Sequence, residues 1–172
     1  MATQKQNPMK ELRIDKVTLN IGAGKNEDML KKGLKLLQKI VSLTPVKTVT
    51  KKRIPTWSLR PGLEIGAKVT VRKDADHLLK RLLAAKEFKL SAQNFDNHGN
   101  FAFGVPEYID IGELEYDPEL KIMGLEVAVT LERRGYRVKR RAVKSAKVGK
   151  NHQITKDEAI LFVREKLGVE VQ

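Results

Sequence analysis

The chain has 172 residues, with 34 Lys or Arg against 21 Asp or Glu, a formal net charge of +13 and no cysteine. That length buries a single core without help from a metal or crosslink. The missing cysteines exclude disulfides, thiolate nucleophiles and cysteine zinc sites, and the excess positive charge calls for an acidic partner.

Residues 1–10 form a polar tail with no apolar core, unlike a signal peptide. No apolar run approaches membrane-spanning length, so a soluble cytoplasmic protein without a membrane partner is expected. Leu12 to Ile21 reads as the first strand, with Val17, Leu19 and Ile21 inward and Lys16, Thr18 and Asn20 on the other face. Gly22-Ala23-Gly24-Lys25 tests poorly as a phosphate loop. The nucleotide pattern needs Gly where Leu19 stands and Ser or Thr where Asn26 stands, and the dinucleotide pattern needs Gly at Glu27. A turn is the better reading. Asn26 caps a helix starting at Glu27, with an apolar stripe at Met29, Leu30, Leu34, Leu37, Ile40 and Val41.

Val46 to Thr50 reads as a short strand and Leu63 to Lys73 as a long one. Leu63, Ile65, Ala67, Val69 and Val71 take one face of the latter; Glu64, Gly66, Lys68, Thr70 and Arg72 take the other. Asp74 is expected to cap a helix over 75–86. In 93–104, Phe95, Phe101 and Phe103 either stack bases or pack under a loop, and packing is favoured. Val105 to Ile111 is predicted as strand, followed by an acidic turn containing Glu113, Glu115 and Asp117. Ile122 to Glu132 is strand. Tyr136 and Val138 extend a hairpin, and 142–150 is irregular and mobile without a partner. Thr155 and Glu158 form a capping box for a last helix ended by Gly168. The sum is one α+β domain over 1–172. It has a mainly antiparallel sheet, helices packed on one face, projecting basic loops, and a basic extension at 133–150.

The positive charge is concentrated. Residues 45–73 hold eight Lys or Arg and one acid, Glu64, while residues 133–150 hold nine and no acid. No nucleophile–base pair, metal-ligand cluster or complete cofactor loop accompanies them, so no enzyme, metal or cofactor is expected. Lys16, Thr18, Asn20, Lys47, Thr48, Lys68, Thr70 and Arg72 form a candidate polar sheet face for phosphates and 2′-hydroxyls. Thr50, Lys51 and Lys52 join them at the base of the loop. In the extension, Arg137, Lys139, Arg140, Arg141, Lys144 and Lys147 are further candidate RNA contacts. Trp57, between Pro55 and Pro61, either stacks on a base or tucks under its own loop.

Several fragments, in this order, resemble the large-subunit ribosomal protein five family. They are Val17-Thr18-Leu19-Asn20-Ile21-Gly22-Ala23-Gly24; Pro45 through Thr50; Pro61-Gly62 with Ile65-Gly66-Ala67-Lys68-Val69-Thr70-Val71-Arg72; Asn94-Phe95-Asp96 with Gly99-Asn100-Phe101 and Gly104-Val105; and Tyr116-Asp117. The resemblance covers nearly the whole chain, and the extension at 133–150 is similar to the archaeal and eukaryotic branch. Bacterial relatives lack that extension and carry a longer N-terminal segment. The resemblance implies a cytoplasmic constituent of the large ribosomal subunit that anchors 5S ribosomal RNA in the central protuberance, beside 23S-type ribosomal RNA. It maps 5S RNA contacts to Lys16, Thr18, Asn20, Lys47, Thr48 and Thr70. It maps a loop reaching P-site tRNA to Arg53, Ile54, Pro55, Thr56, Trp57, Ser58, Leu59, Arg60, Pro61 and Gly62. It also implies a bridge to small-subunit protein thirteen, with no residues assigned. The alternatives are a general nucleic-acid-binding or ribosome-assembly factor using the same basic surfaces, and a phosphate-handling enzyme at Gly22 to Lys25, against which the failed motif argues.

Overall fold

In the computed structural model, which describes residues 7–112 and 114–172, the alternation at Val17, Leu19 and Ile21 makes β1 (Leu12–Gly22), with all three side chains buried. Then follow α1 (Glu27–Ile40), β2 (Val46–Val49), β3 (Glu64–Val71), α2 (Ala75–Ala84) and β4 (Lys89–Leu90). The chain continues with β5 (Phe101–Val105), β6 (Leu125–Arg133), α3 (Arg137–Arg140), α4 (Lys156–Leu167) and β7 (Glu170–Val171). Residues 1–6 of the expected tail and Glu113 of the acidic turn lie outside the described residues.

Five strands pair antiparallel in the order β2-β3-β1-β6-β5. The inward rows of β1, β3, β5 and β6 share one core with α1, α2 and α4. The helices therefore cover one face, as the alternating patterns require. Asn26 caps α1, its side-chain oxygen accepting from the Asp28 and Met29 amides at 3.0 and 3.2 Å. The buried stripe is rotated from the expected one: Met29 is exposed, while Gly33 and Leu36 are buried. A Cβ at Gly33 would stand 3.2 Å from the Ile21 Cγ2 atom, so α1 rides on β1 at that point. Asp74 does not cap α2. It adopts a left-handed φ of 54° and makes no side-chain cap bond, forming the corner between β3 and α2 instead.

The fifth strand lies earlier than expected, over Phe101–Val105. Pro106 has no amide to continue the ladder, and Tyr108–Asp110 turns as a 3-10 helix. Phe95, Phe101 and Phe103 are buried, with successive ring centroids 5.2 and 6.5 Å apart, so the packing reading holds. In the acidic turn Glu115 is exposed, and the turn is tethered to the helix beside it. Lys35 and Lys39 on α1 pair with Glu119 and Asp117. No hairpin extends through Tyr136 and Val138, because Gly135 at φ 95° turns the chain into α3.

The capping box at α4 is complete: the Glu158 amide donates to Thr155 Oγ1 at 3.4 Å, and the Thr155 amide to Glu158 Oε2 at 3.0 Å. Burial opposes ionisation of Glu158, but the Thr155 amide and the Arg133 guanidinium outweigh it and hold the carboxyl below the usual glutamate range. Its contribution is therefore present above the unfolded-state value and is lost as pH falls through the depressed one. Glu158→Gln is expected to melt lower than the parent near neutrality and to lose less on acidification. Thermal melts at about pH 6 and about pH 3 test this; equal acid losses in both proteins refute it.

Candidate nucleic-acid interface

The face of the sheet away from the helices is open. Cross-strand partners share a face, so the register defines its rows. Thr70, Thr18 and Ala128 form one row; Lys68, Asn20 and Glu126 form the next; Lys16 lies opposite Thr130. Among the described residues, Lys16, Lys68 and Arg72 form no ion pair. The Thr18 and Thr70 hydroxyls are 3.5 Å apart, and Asn20 Nδ2 donates to Glu126 Oε2 at 3.1 Å. Thr130 was not singled out from sequence. The signal was there: Glu126, Ala128, Thr130 and Glu132 alternate with the inward residues of β6.

Two predicted contacts are placed differently. Lys47 and Thr48 are adjacent in β2 and take opposite faces. Thr48 lies across from Gly66 on the open side, and Lys47 across from Ala67, a core position. Lys47 escapes burial at the sheet edge and pairs with Glu64 at 2.8 Å. Thr50 is only 7% exposed, and its hydroxyl donates to the Leu63 carbonyl at 3.1 Å. Its amide also donates to Leu63 O, and Gly62 N donates to Thr50 O. Thr50 closes the base of the loop; it is not presented to a ligand.

The loop above Thr50 is built rather than slack. Ile54 and Leu59 exchange two backbone hydrogen bonds of 3.0 Å, and Ser58 turns the tip with a φ of 52°. Leu59 is buried beneath it. Lys51, Lys52, Arg53 and Arg60 are exposed and, among the described residues, form no ion pair. The alternatives for Trp57 are resolved toward presentation, since the residue is 67% exposed.

β1 runs from this loop to the basic extension. Gly22 pairs with Gly66 near one end and Leu12 with Arg133 at the other, about 30–35 Å apart at strand rise. The two cationic segments therefore flank one sheet. Parts of the extension are spent internally. Arg133 is 5% exposed and bonds Glu158 at 2.8 Å. Arg140 bridges Asp15, at 3.0 Å, and Glu132, which Arg13 also binds. Glu132 lies on the open side of β6 yet is buried by these arginines. Arg140 thus positions the extension. Arg137, Lys139, Arg141, Lys144 and Lys147 are exposed, and among the described residues no carboxylate pairs with them.

Residues 142–149 have no regular structure, as expected, but they are tethered. The Ala146 amide donates to Val138 O, Arg141 Nε to Lys144 O, and Gln153 Nε2 to Val148 O.

Residues 7–60 match the family model for ribosomal protein L5, and residues 64–162 match that for the ribosomal L5 family C-terminus. The large ribosomal subunit protein uL5 of Nanoarchaeum equitans is 48% identical over 168 residues, covering 96% of this chain and 99% of that protein. That of Sulfurisphaera tokodaii is 42% identical, covering 98% and 97%. That of Methanococcus maripaludis is 44% identical, covering 96% and 94%.

Proposed function

This chain belongs to the ribosomal protein L5 family, as a structural, non-enzymatic, ribosomal-RNA-binding component of the large subunit of the cytoplasmic ribosome, and from that premise we propose that its open sheet face binds 5S ribosomal RNA. The observation that carries the reading is the uncovered face itself. Lys16, Thr18, Asn20, Lys68 and Thr70 line it without a helix above them, Arg72 follows just past the end of β3, and none of the three cations has a carboxylate partner among the described residues. Hydroxyls and amides there set register on ribose and phosphate, while the cations neutralise backbone charge. Lys51 and Lys52 extend the contact at the foot of the loop. The free cations of the extension, Arg137, Lys139, Arg141, Lys144 and Lys147, add further RNA contacts, and 23S-type RNA lies beside the 5S RNA.

The loop Arg53 to Gly62 reaches P-site tRNA. Its support is a backbone-braced hairpin with an exposed indole at the tip and Arg53 and Arg60 beside it. An aromatic ring so placed stacks on a base or ribose. A bridge to small-subunit protein thirteen completes the proposal, without residues assigned.

The test is RNA binding against salt. Replacing Lys51, Lys52 and Arg53 together with Ala is expected to weaken 5S RNA binding and flatten its salt dependence, by about 0.7–0.9 in log–log slope for each phosphate that is no longer neutralised. An unchanged slope removes these residues from the phosphate contacts. Competition with duplex DNA separates the specific reading from general nucleic-acid binding: equal competition by DNA counts against it. Trp57→Ala is expected to leave 5S RNA affinity intact while weakening tRNA positioning on reconstituted ribosomes by about tenfold. Parallel loss of both contradicts the division between loop and sheet.

A further inference from the structure

Beyond β3 and β5, the ends of β1 and β6 continue as a two-stranded ribbon. The segment 145–150 stands off this ribbon and leaves a cleft of about 860 Å³. Its walls differ in chemistry. Lys16, Lys139, Lys147 and Lys150 line it with no carboxylate partner among the described residues. Tyr136, Ala146 and Val148 supply accessible apolar surface above the buried Leu131 and Ile154, and Asn100, Thr130 and Gln153 supply hydrogen-bonding groups. Two acids, Asp15 and Glu132, also reach the cleft, but Arg140 and Arg13 neutralise them. What remains is an apolar slot with a cationic rim.

A phosphate alone does not need the apolar wall, and an apolar peptide does not need four unpaired lysines. A nucleotide uses both: its base is flat and apolar with polar edges, and its phosphates are anionic. The volume lies within the usual range for small-ligand sites. We propose that this cleft seats one unstacked nucleotide of the RNA that the protein binds. The base enters between segment 145–150 and the β1–β6 ribbon, and its flanking phosphates meet Lys16, Lys139, Lys147 and Lys150. The inference rests on the RNA-binding reading and makes it specific at one point. The Arg140 bridge is what holds the cleft open, because it fixes α3 against Asp15 and Glu132.

The experiment uses the full chain. Ala146→Trp and, separately, Ser145→Trp fill the cleft from exposed positions without changing charge. Each is expected to weaken 5S RNA binding about tenfold. Nucleoside monophosphates titrated into the parent protein are expected to shift the amide resonances of Thr130, Ala146 and Val148, with inorganic phosphate producing a smaller and different pattern. Lys147→Glu is expected to abolish those shifts. Parental RNA affinity in both tryptophan variants overturns the cleft proposal while leaving RNA binding by the sheet face standing. Identical shifts from inorganic phosphate overturn the base-binding part. A parent protein that fails to bind RNA overturns the broader reading and this one with it.

Discussion

Gly66→Val is expected to cost about 3 kcal/mol of folding stability and to cripple RNA binding with it. A Cβ built at Gly66 stands 2.6 Å from the Ile21 carbonyl oxygen and 3.0 Å from Thr48 Oγ1. The first is backbone in the neighbouring strand and cannot swing aside. β3 must therefore move away from β1, breaking the ladder that aligns Thr70 with Thr18 and Lys68 with Asn20. It also moves the hairpin that carries the basic loop. Gly22→Ala is the control. Gly22 lies opposite Gly66 in the register, yet a Cβ there meets nothing within 4 Å. Its cost is expected to stay within about 0.5 kcal/mol. Urea denaturation of both variants checks the pair, and equal midpoints would falsify the close-approach argument.

Gly66 also shows where the sequence stops being informative. The alternation from Leu63 to Lys73 places it on the wet face, and nothing local distinguishes it from a spacer. Its constraint comes from Ile21, a partner defined only by strand register. The strands β1, β3 and β6 were legible because a sheet covered on one face imposes a period of two on each of them. The α4 capping box was legible because it is local. What was not legible is non-local. Lys47 and Thr50 read as RNA contacts because they are polar and lie near cations. The β2–β3 register turns one to an edge ion pair and the other into the base of the loop. Arg140 sits in an unbroken basic run, but its acids are Asp15, 125 positions away, and Glu132, eight positions back. Counting charges along the chain finds the basic segments. It cannot separate cations offered to a partner from those consumed by the fold.

Arg133 and Glu158 make that distinction measurable. Glu158→Ala is expected to destabilise the protein by about 2–3 kcal/mol, below the range for a fully buried ion pair because the Glu158 side chain is 42% exposed. The guanidinium left behind is 5% exposed, keeps only the Gln153 carbonyl at 3.2 Å, and has an Nε that already finds no acceptor among the described residues. The same substitution removes the side-chain half of the capping box that accepts from Thr155 N. Arg133→Met runs the other way. It replaces a buried charge with an apolar chain of similar reach, and leaves behind a carboxylate whose side chain is 42% exposed and can be hydrated. Its cost is expected to be about 1 kcal/mol, because an apolar replacement restores packing without a desolvation penalty. Arg133 opens the most basic run in the sequence, so a phosphate-contacting role predicts that Arg133→Met flattens the salt dependence of RNA binding. A structural role predicts an unchanged slope with a small loss of stability. Equilibrium denaturation and a salt titration on the two variants separate these cases: a flattened slope in Arg133→Met, or a milder loss in Glu158→Ala than in Arg133→Met, places the guanidinium at the RNA instead of in the fold.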